Sequence, residues 1–180
     1  MRKLKVLGLT LLLLLTSCGV GDVTEPIYVP SLYIDNNQTV GPAYGQLWTE
    51  NVSTSLTITV ANHFYRYTFN NTGLSHLANL TTSNITVGAN GTYLVSMSAS
   101  SYSSSATPRE THWHVFKNNI ELDEVTAAAT RNLGLQGTTS SSGIVALIVG
   151  DVIDLRVTSM DAGNIITTDH ASLVITRIGP

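Results

Sequence analysis

The sequence predicts an all-β protein, an antiparallel β-sandwich in which one sheet is covered by another molecule. Three observations carry this. Short runs rich in Val, Ile, Thr and Tyr recur between clusters of Gly, Asn and Ser, at the spacing of sandwich strands and turns. Helical periodicity is almost absent. The segment Gly143–Gly179 also holds two kinds of strand. Its middle run, Val152 to Thr158, alternates: Ile153, Leu155 and Val157 share one face, while Asp154, Arg156 and Thr158 share the other, the mark of a half-buried antiparallel strand. The flanking runs, Ile144 to Val149 and Leu173 to Ile175, are apolar on both faces, too short and too β-branched to favour helix. In a parallel sheet, helices would cover both faces. With few helical signals to do so, the expected cover is a second copy of the chain.

The first residues are of another kind. Met1-Arg2-Lys3-Leu4-Lys5 is basic, Val6 to Leu15 is apolar, and Thr16-Ser17-Cys18-Gly19 is small and polar, which together read as a secretory signal over 1–17. The apolar run is too short to span a bilayer. Leu15-Thr16-Ser17-Cys18 resembles the bacterial lipobox, in which the chain is cut before Cys and the Cys is acylated. The sole Cys of the chain stands at that place. Cys18 is therefore the expected lipidation site and membrane anchor, and acylation on more than one chain would make the anchoring stable. Residues 18–41, with Pro26 and Pro30, read as an extended tether, and 42–180 as the domain.

Composition narrows the function classes. The net charge is −3 and charged residues are 12% of the chain, with Arg2, Lys3 and Lys5 inside the signal, so no basic surface remains for nucleic acid. A single Cys allows no intrachain disulfide, and burial alone must hold the fold.

Within the domain, Tyr44 to Trp48, Thr54 to Val60 and Tyr65 to Phe69 read as strands, followed by a turn at Asn70-Asn71-Thr72-Gly73. Leu77 to Ile85 is a further, interrupted strand. Asn90-Gly91 suits a tight turn with positive φ. Thr92 to Ala99 alternates with Tyr93, Val95 and Met97 on one face. Ser100 to Thr107 reads as a serine-rich loop and Thr111 to Phe116 as a strand. Ile120 to Thr130 reads as a strand in spite of three consecutive alanines, and Gly134 to Ser142 as a polar loop.

These residues carry a resemblance. Gly91-Thr92-Tyr93-Leu94-Val95-Ser96, Trp113 to Asn119, Ser142 to Leu147, Gly150 to Leu155 and Ala171 to Ile175 stand in an order similar to that of the jelly-roll domains of the complement q subcomponent and tumour necrosis factor superfamilies. Asn119 stands where that pattern usually has Gly, a change Asn tolerates because it accepts positive φ. The resemblance spans about 42–180. It implies a jelly-roll topology, a tight homotrimer that binds partners, and no enzymatic activity. It also places the two strands that are apolar on both faces in the sheet that makes the trimer. The expected contact residues are Val145, Leu147, Leu173 and Ile175 or their alternate-face neighbours, with His112 and His114.

His112-Trp113-His114 is the one metal-like spacing, since period two puts both imidazoles on one strand face. Cupins, also jelly rolls, follow His-x-His closely with Glu, whereas Glu121 comes after six intervening residues. The expectation is no metal and no cofactor. The pair instead packs in the trimer-forming sheet, facing either the subunit contact or the sandwich interior. If they face the contact, protonating up to six imidazoles near a threefold axis would loosen the trimer as pH falls from about 7 to about 5; if they face the interior, it would destabilise each subunit instead. Asp151, Asp154, Asp161 and Asp169 have the oxygens for calcium but no EF-hand spacing. No Gly-x-Ser-x-Gly elbow supports acyl transfer. Asn37, Asn51, Asn70, Asn79, Asn84 and Asn90 open Asn-x-Ser/Thr sequons, which mark exposed positions. The sequence thus reads as a lipid-anchored, extracytoplasmic trimeric module binding a protein or carbohydrate partner through its loops. A phage-encoded virion-like or host-surface exclusion protein, and a cupin-like metal-binding protein, are the two competing readings.

Overall fold

The computed structural model describes residues 42–50 and 53–180; the signal, Cys18 and the tether lie outside the described residues. Among the described residues there are twelve strands and no helix. One sheet orders β10 (Gly137–Leu147), β7 (Gly91–Ser103), β12 (Ile165–Gly179), β1 (Tyr44–Thr49) and β4 (Asn71–His76), with β2 (Thr54–Thr57) added on β12. The second orders β5 (Ala78–Thr81), β6 (Asn84–Val87), β11 (Val152–Ser159), β8 (Arg109–Lys117) and β9 (Ile120–Arg131), with β3 (Tyr65–Arg66) added on β11. Every pairing is antiparallel, and β1 lies beside β12, so strands from the two ends of the domain close the first sheet. The result is the antiparallel jelly-roll sandwich the strand pattern predicts.

The alternation read from the sequence fixes which side chains fill the space between the sheets. From β11 come Ile153, Leu155 and Val157; from β7 come Tyr93, Val95 and Met97; from β8 come Trp113 and Val115, all buried. Tyr67 packs edge-on against Phe69 at 5.0 Å and Trp113 at 5.4 Å. Each such apolar side chain contributes about 1.5–3 kcal/mol on burial, and among the described residues no disulfide assists.

Several strands are longer than their apolar runs. β7 continues through Ser100 to Ser103, and β10 begins at Gly137, so both serine-rich segments expected as loops are partly strand: they meet at Gly137↔Ser101 and Thr138↔Ser100, while Tyr102 and Ser103 pair with β12. β12 likewise starts at Ile165, well before the closing apolar run. The reason is a core that turns polar toward one end. Ser103 Oγ donates to Asn164 Oδ1 at 2.6 Å, Asn164 Nδ2 donates to Ser159 Oγ at 3.2 Å, and Ser159 Oγ donates to the Glu110 carbonyl at 2.9 Å. A hydroxyl satisfied in this way is buried without the cost of an orphaned polar group. Conversely, β2 ends at Thr57 and β3 holds only two residues, while three residues of the expected turn at 70–73 form the first half of β4.

The turns show where backbone conformation matters. Asn118 (φ 52°) and Asn119 (φ 68°) both take the left-handed region, forming the tight hairpin between β8 and β9. Asn is therefore a workable substitute for Gly there. Asn90-Gly91 differs from expectation: Asn90 has no positive φ, and Gly91 is needed because a Cβ would lie 2.6 Å from the Gly179 carbonyl oxygen.

Candidate functional site

Each sheet presents one outward face. On the first, cross-strand register lines the outward residues into rows. One row runs Ile144, Leu94, Thr176, Tyr44 and His76; the next runs Ser142, Ser96, Val174 and Gln46; a third runs Ser140, Ser98, Ser172 and Trp48. The face is apolar at one end, where Ile144 is 63% exposed and Leu94 39%, and serine-rich at the other. In the polar part Ser98 and Ser172 bond to each other at 3.0 Å. A cleft of about 440 Å³ opens beside Trp48, lined also by Gln46, Glu50, Ser98, His170 and Ser172.

This arrangement decides between the two sets of contact residues the sequence offered. Val145, Leu147, Leu173 and Ile175 do lie on β10 and β12, but all four are buried between the sheets. Their core burial removes them from any surface. The outward positions are their alternate-face neighbours Ile144, Ala146, Val174 and Thr176, of which only part are apolar. Ile148 and Val149, read as a continuation of the strand, stand in the exposed turn after it.

His112 and His114 are corrected in both sheet and face. They lie on β8, in the second sheet, which does not contain β10 or β12, and they point neither to the first sheet's outward face nor into the core. Trp113 and Val115 take the inward positions. The two imidazoles stack with centroids 5.9 Å apart and planes at 17°. Glu121 Oε1 stands 2.5 Å from His114 Nδ1, and Glu110 Oε1 stands 3.4 Å from His112 Nε2. Phe64 packs edge-on to His114 at 4.9 Å and to Phe116 at 5.0 Å, and the Arg156 guanidinium caps Phe116 at 4.1 Å. Sequence reasoning missed Phe64, which sits outside any strand. Among the described residues no group of three or more His, Cys, Asp or Glu is placed to hold a metal ion.

The aspartates considered for calcium are spread out and engaged in other contacts. Asp154, 1% exposed, accepts from Arg156 Nε at 2.6 Å and faces an Arg66 nitrogen at 2.8 Å. Asp151 caps the Gly150 turn, accepting from Asn118 Nδ2 at 2.6 Å and the Ile148 N–H at 2.9 Å. Asp161 pairs with Arg109, and Asp169 accepts from Ser53 and Gln136.

No protein-family model matches the chain, and no curated protein sequence matches it. Solved structures do. A tumour necrosis factor, Eiger, of S. frugiperda superposes with TM-score 0.58 at 13% identity, covering 77% of this chain and 93% of that one. Murine APRIL superposes with TM-score 0.52 at 11% identity, covering 77% and 100%. The globular domain of zebrafish complement 1qA superposes with TM-score 0.51 at 14% identity, covering 77% and 98%. The chain therefore has the jelly-roll fold common to tumour necrosis factor and complement q globular domains, over 93% or more of the length of each.

Proposed function

We propose that this protein is a lipid-anchored, extracytoplasmic binding module that assembles as a homotrimer and carries out no chemistry of its own. The observation that carries the reading is the exposed apolar pair Ile144 and Leu94, heading the row they share with Thr176 and Tyr44 on the first sheet, in a chain with a tumour necrosis factor-like fold. Two further copies cover that face and take its isoleucine and leucine side chains out of water. The serine-rich rows beside it supply hydroxyls that pair across the contact, so the interface is partly wet. With this face used for assembly, the second sheet and the connecting loops are left to meet a protein or carbohydrate ligand.

The anchor is Cys18, held on the tether 18–41. The full chain should partition with membranes, and Cys18→Ser should release it to the soluble fraction as an intact trimer. Unchanged fractionation would remove the lipid from the proposal. A monomeric Cys18→Ser protein at micromolar concentration would remove the assembly.

A further inference from the structure

We infer that the cleft on the outward face of the second sheet, between Phe64 and Met160, is a binding site for a single pyranose ring of a neutral glycan. The inference rests on reading the protein as a binding module and names the site and class of its ligand. The cleft, of about 270 Å³, is lined by Asn62, Phe64, His112, His114, Thr158 and Met160. That is smaller than sites for drug-sized ligands and suits one ring.

Its chemistry is that of a sugar. Phe64 and the 59% exposed Met160 provide carbon surface for the C–H face of a ring. Asn62 brings an amide that both donates and accepts, and the two imidazoles bring ring nitrogens. The Glu121 carboxylate engages His114 Nδ1 and leaves Nε2 free to meet a hydroxyl. No carboxylate, lysine or arginine lines the cleft, because Glu110 and Glu121 are turned to hold the histidines. Such a lining suits a neutral, hydroxyl-bearing ligand over an ion.

Two further features point to a ligand. Thr158 is only 7% exposed, lies at the cleft opposite His112 in register, and its hydroxyl has no hydrogen-bond partner among the described residues. A buried hydroxyl left unpaired costs free energy that a ligand hydroxyl would recover. His112, paired with Thr158 across the strands, is 31% exposed in its side chain and makes a 3.4 Å contact to Glu110 besides its stack on His114. The wall is also pre-formed. Asn62 is held at φ 58° with its N–H donating to the Ser159 carbonyl at 2.9 Å. The Tyr65 hydroxyl oxygen accepts from the N–H groups of Thr59 at 3.1 Å and Val60 at 2.8 Å.

The test uses the full chain in a detergent without a sugar headgroup, with methionine methyl groups isotope-labelled, titrated with a panel of methyl pyranosides. Binding in the cleft should move the Met160 signal saturably and leave the buried Met97 signal in place. Thr158→Val keeps the shape and removes the hydroxyl; Asn62→Gly keeps the backbone and removes the amide. Each should weaken binding about tenfold, the factor for one lost hydrogen bond, with trimer mass and Tm unchanged or, for Thr158→Val, Tm raised. Pyranosides that leave Met160 unmoved, bind elsewhere such as the Trp48 cleft, or bind the Thr158→Val protein equally well would overturn the site while leaving the binding-module reading intact. Failure of that reading would show separately, as a monomer in sedimentation.

Discussion

Replacing Ile144 with Asp tests the assembly face most directly. Ile144 is 63% exposed in the single subunit and heads the row shared with Leu94, Thr176 and Tyr44. Fully burying an isoleucine contributes about 1.5–3 kcal/mol, so covering the part still exposed contributes about 1–2 kcal/mol per subunit and about 3–6 kcal/mol per trimer. Losing it weakens association by roughly two to four decades, and three desolvated carboxylates weaken it further. The subunit itself should change by only about 1 kcal/mol, because the position is solvent-facing and Asp costs little beyond its poor strand propensity. Sedimentation velocity over a concentration series, with thermal unfolding of the same samples, separates the two effects. Leu173→Asp is the contrasting control, since Leu173 is fully buried and a charge there should unfold the subunit. An Ile144→Asp protein that trimerises as tightly as the natural one would refute the assignment of this face.

Three other outcomes follow from the packing. Gly88→Ala should lower stability by more than 1 kcal/mol in denaturant titration, about the least expected where backbone must move, because the new Cβ would lie 2.7 Å from the Leu77 carbonyl oxygen. Asp154→Asn should cost about 3 kcal/mol, since it leaves Arg156 and Arg66 around a buried position without their carboxylate. Burial pushes the Tyr67 and Tyr93 phenols up from their ordinary value, so both stay neutral in the folded state after the unfolded chain has begun to ionise. That contribution is complete below the unfolded value of about 10 and is lost as pH rises through the raised folded values. Tm should therefore fall steeply above about pH 10 and less steeply in Tyr67→Phe or Tyr93→Phe proteins.

The sequence by itself determined the fold class, through alternation that any antiparallel pairing must respect. Ile153, Leu155 and Val157 face inward because period two leaves them no other shared side, and Asn118-Asn119 turns tightly because Asn tolerates positive φ. It located β10 and β12 by their apolar residues but not their outward faces: Ile144 and Val145 are both apolar, and only the opposing sheet decides that Val145 packs inward. Strand length was also hidden, because Ser100 to Ser103 becomes strand by pairing with β12 and the start of β10, and Gly137 to Ser142 by pairing with Ser96 to Ser101, a long-range hydrogen-bond register that local propensity does not encode. The histidine pair shows the same division. Spacing put His112 and His114 on one face, but which sheet received β8, and whether that face met core, copy or solvent, depended on partners far away in the chain. Phe64 and Thr158, which complete the cleft around them, come from a loop and a neighbouring strand that only the tertiary fold brings together.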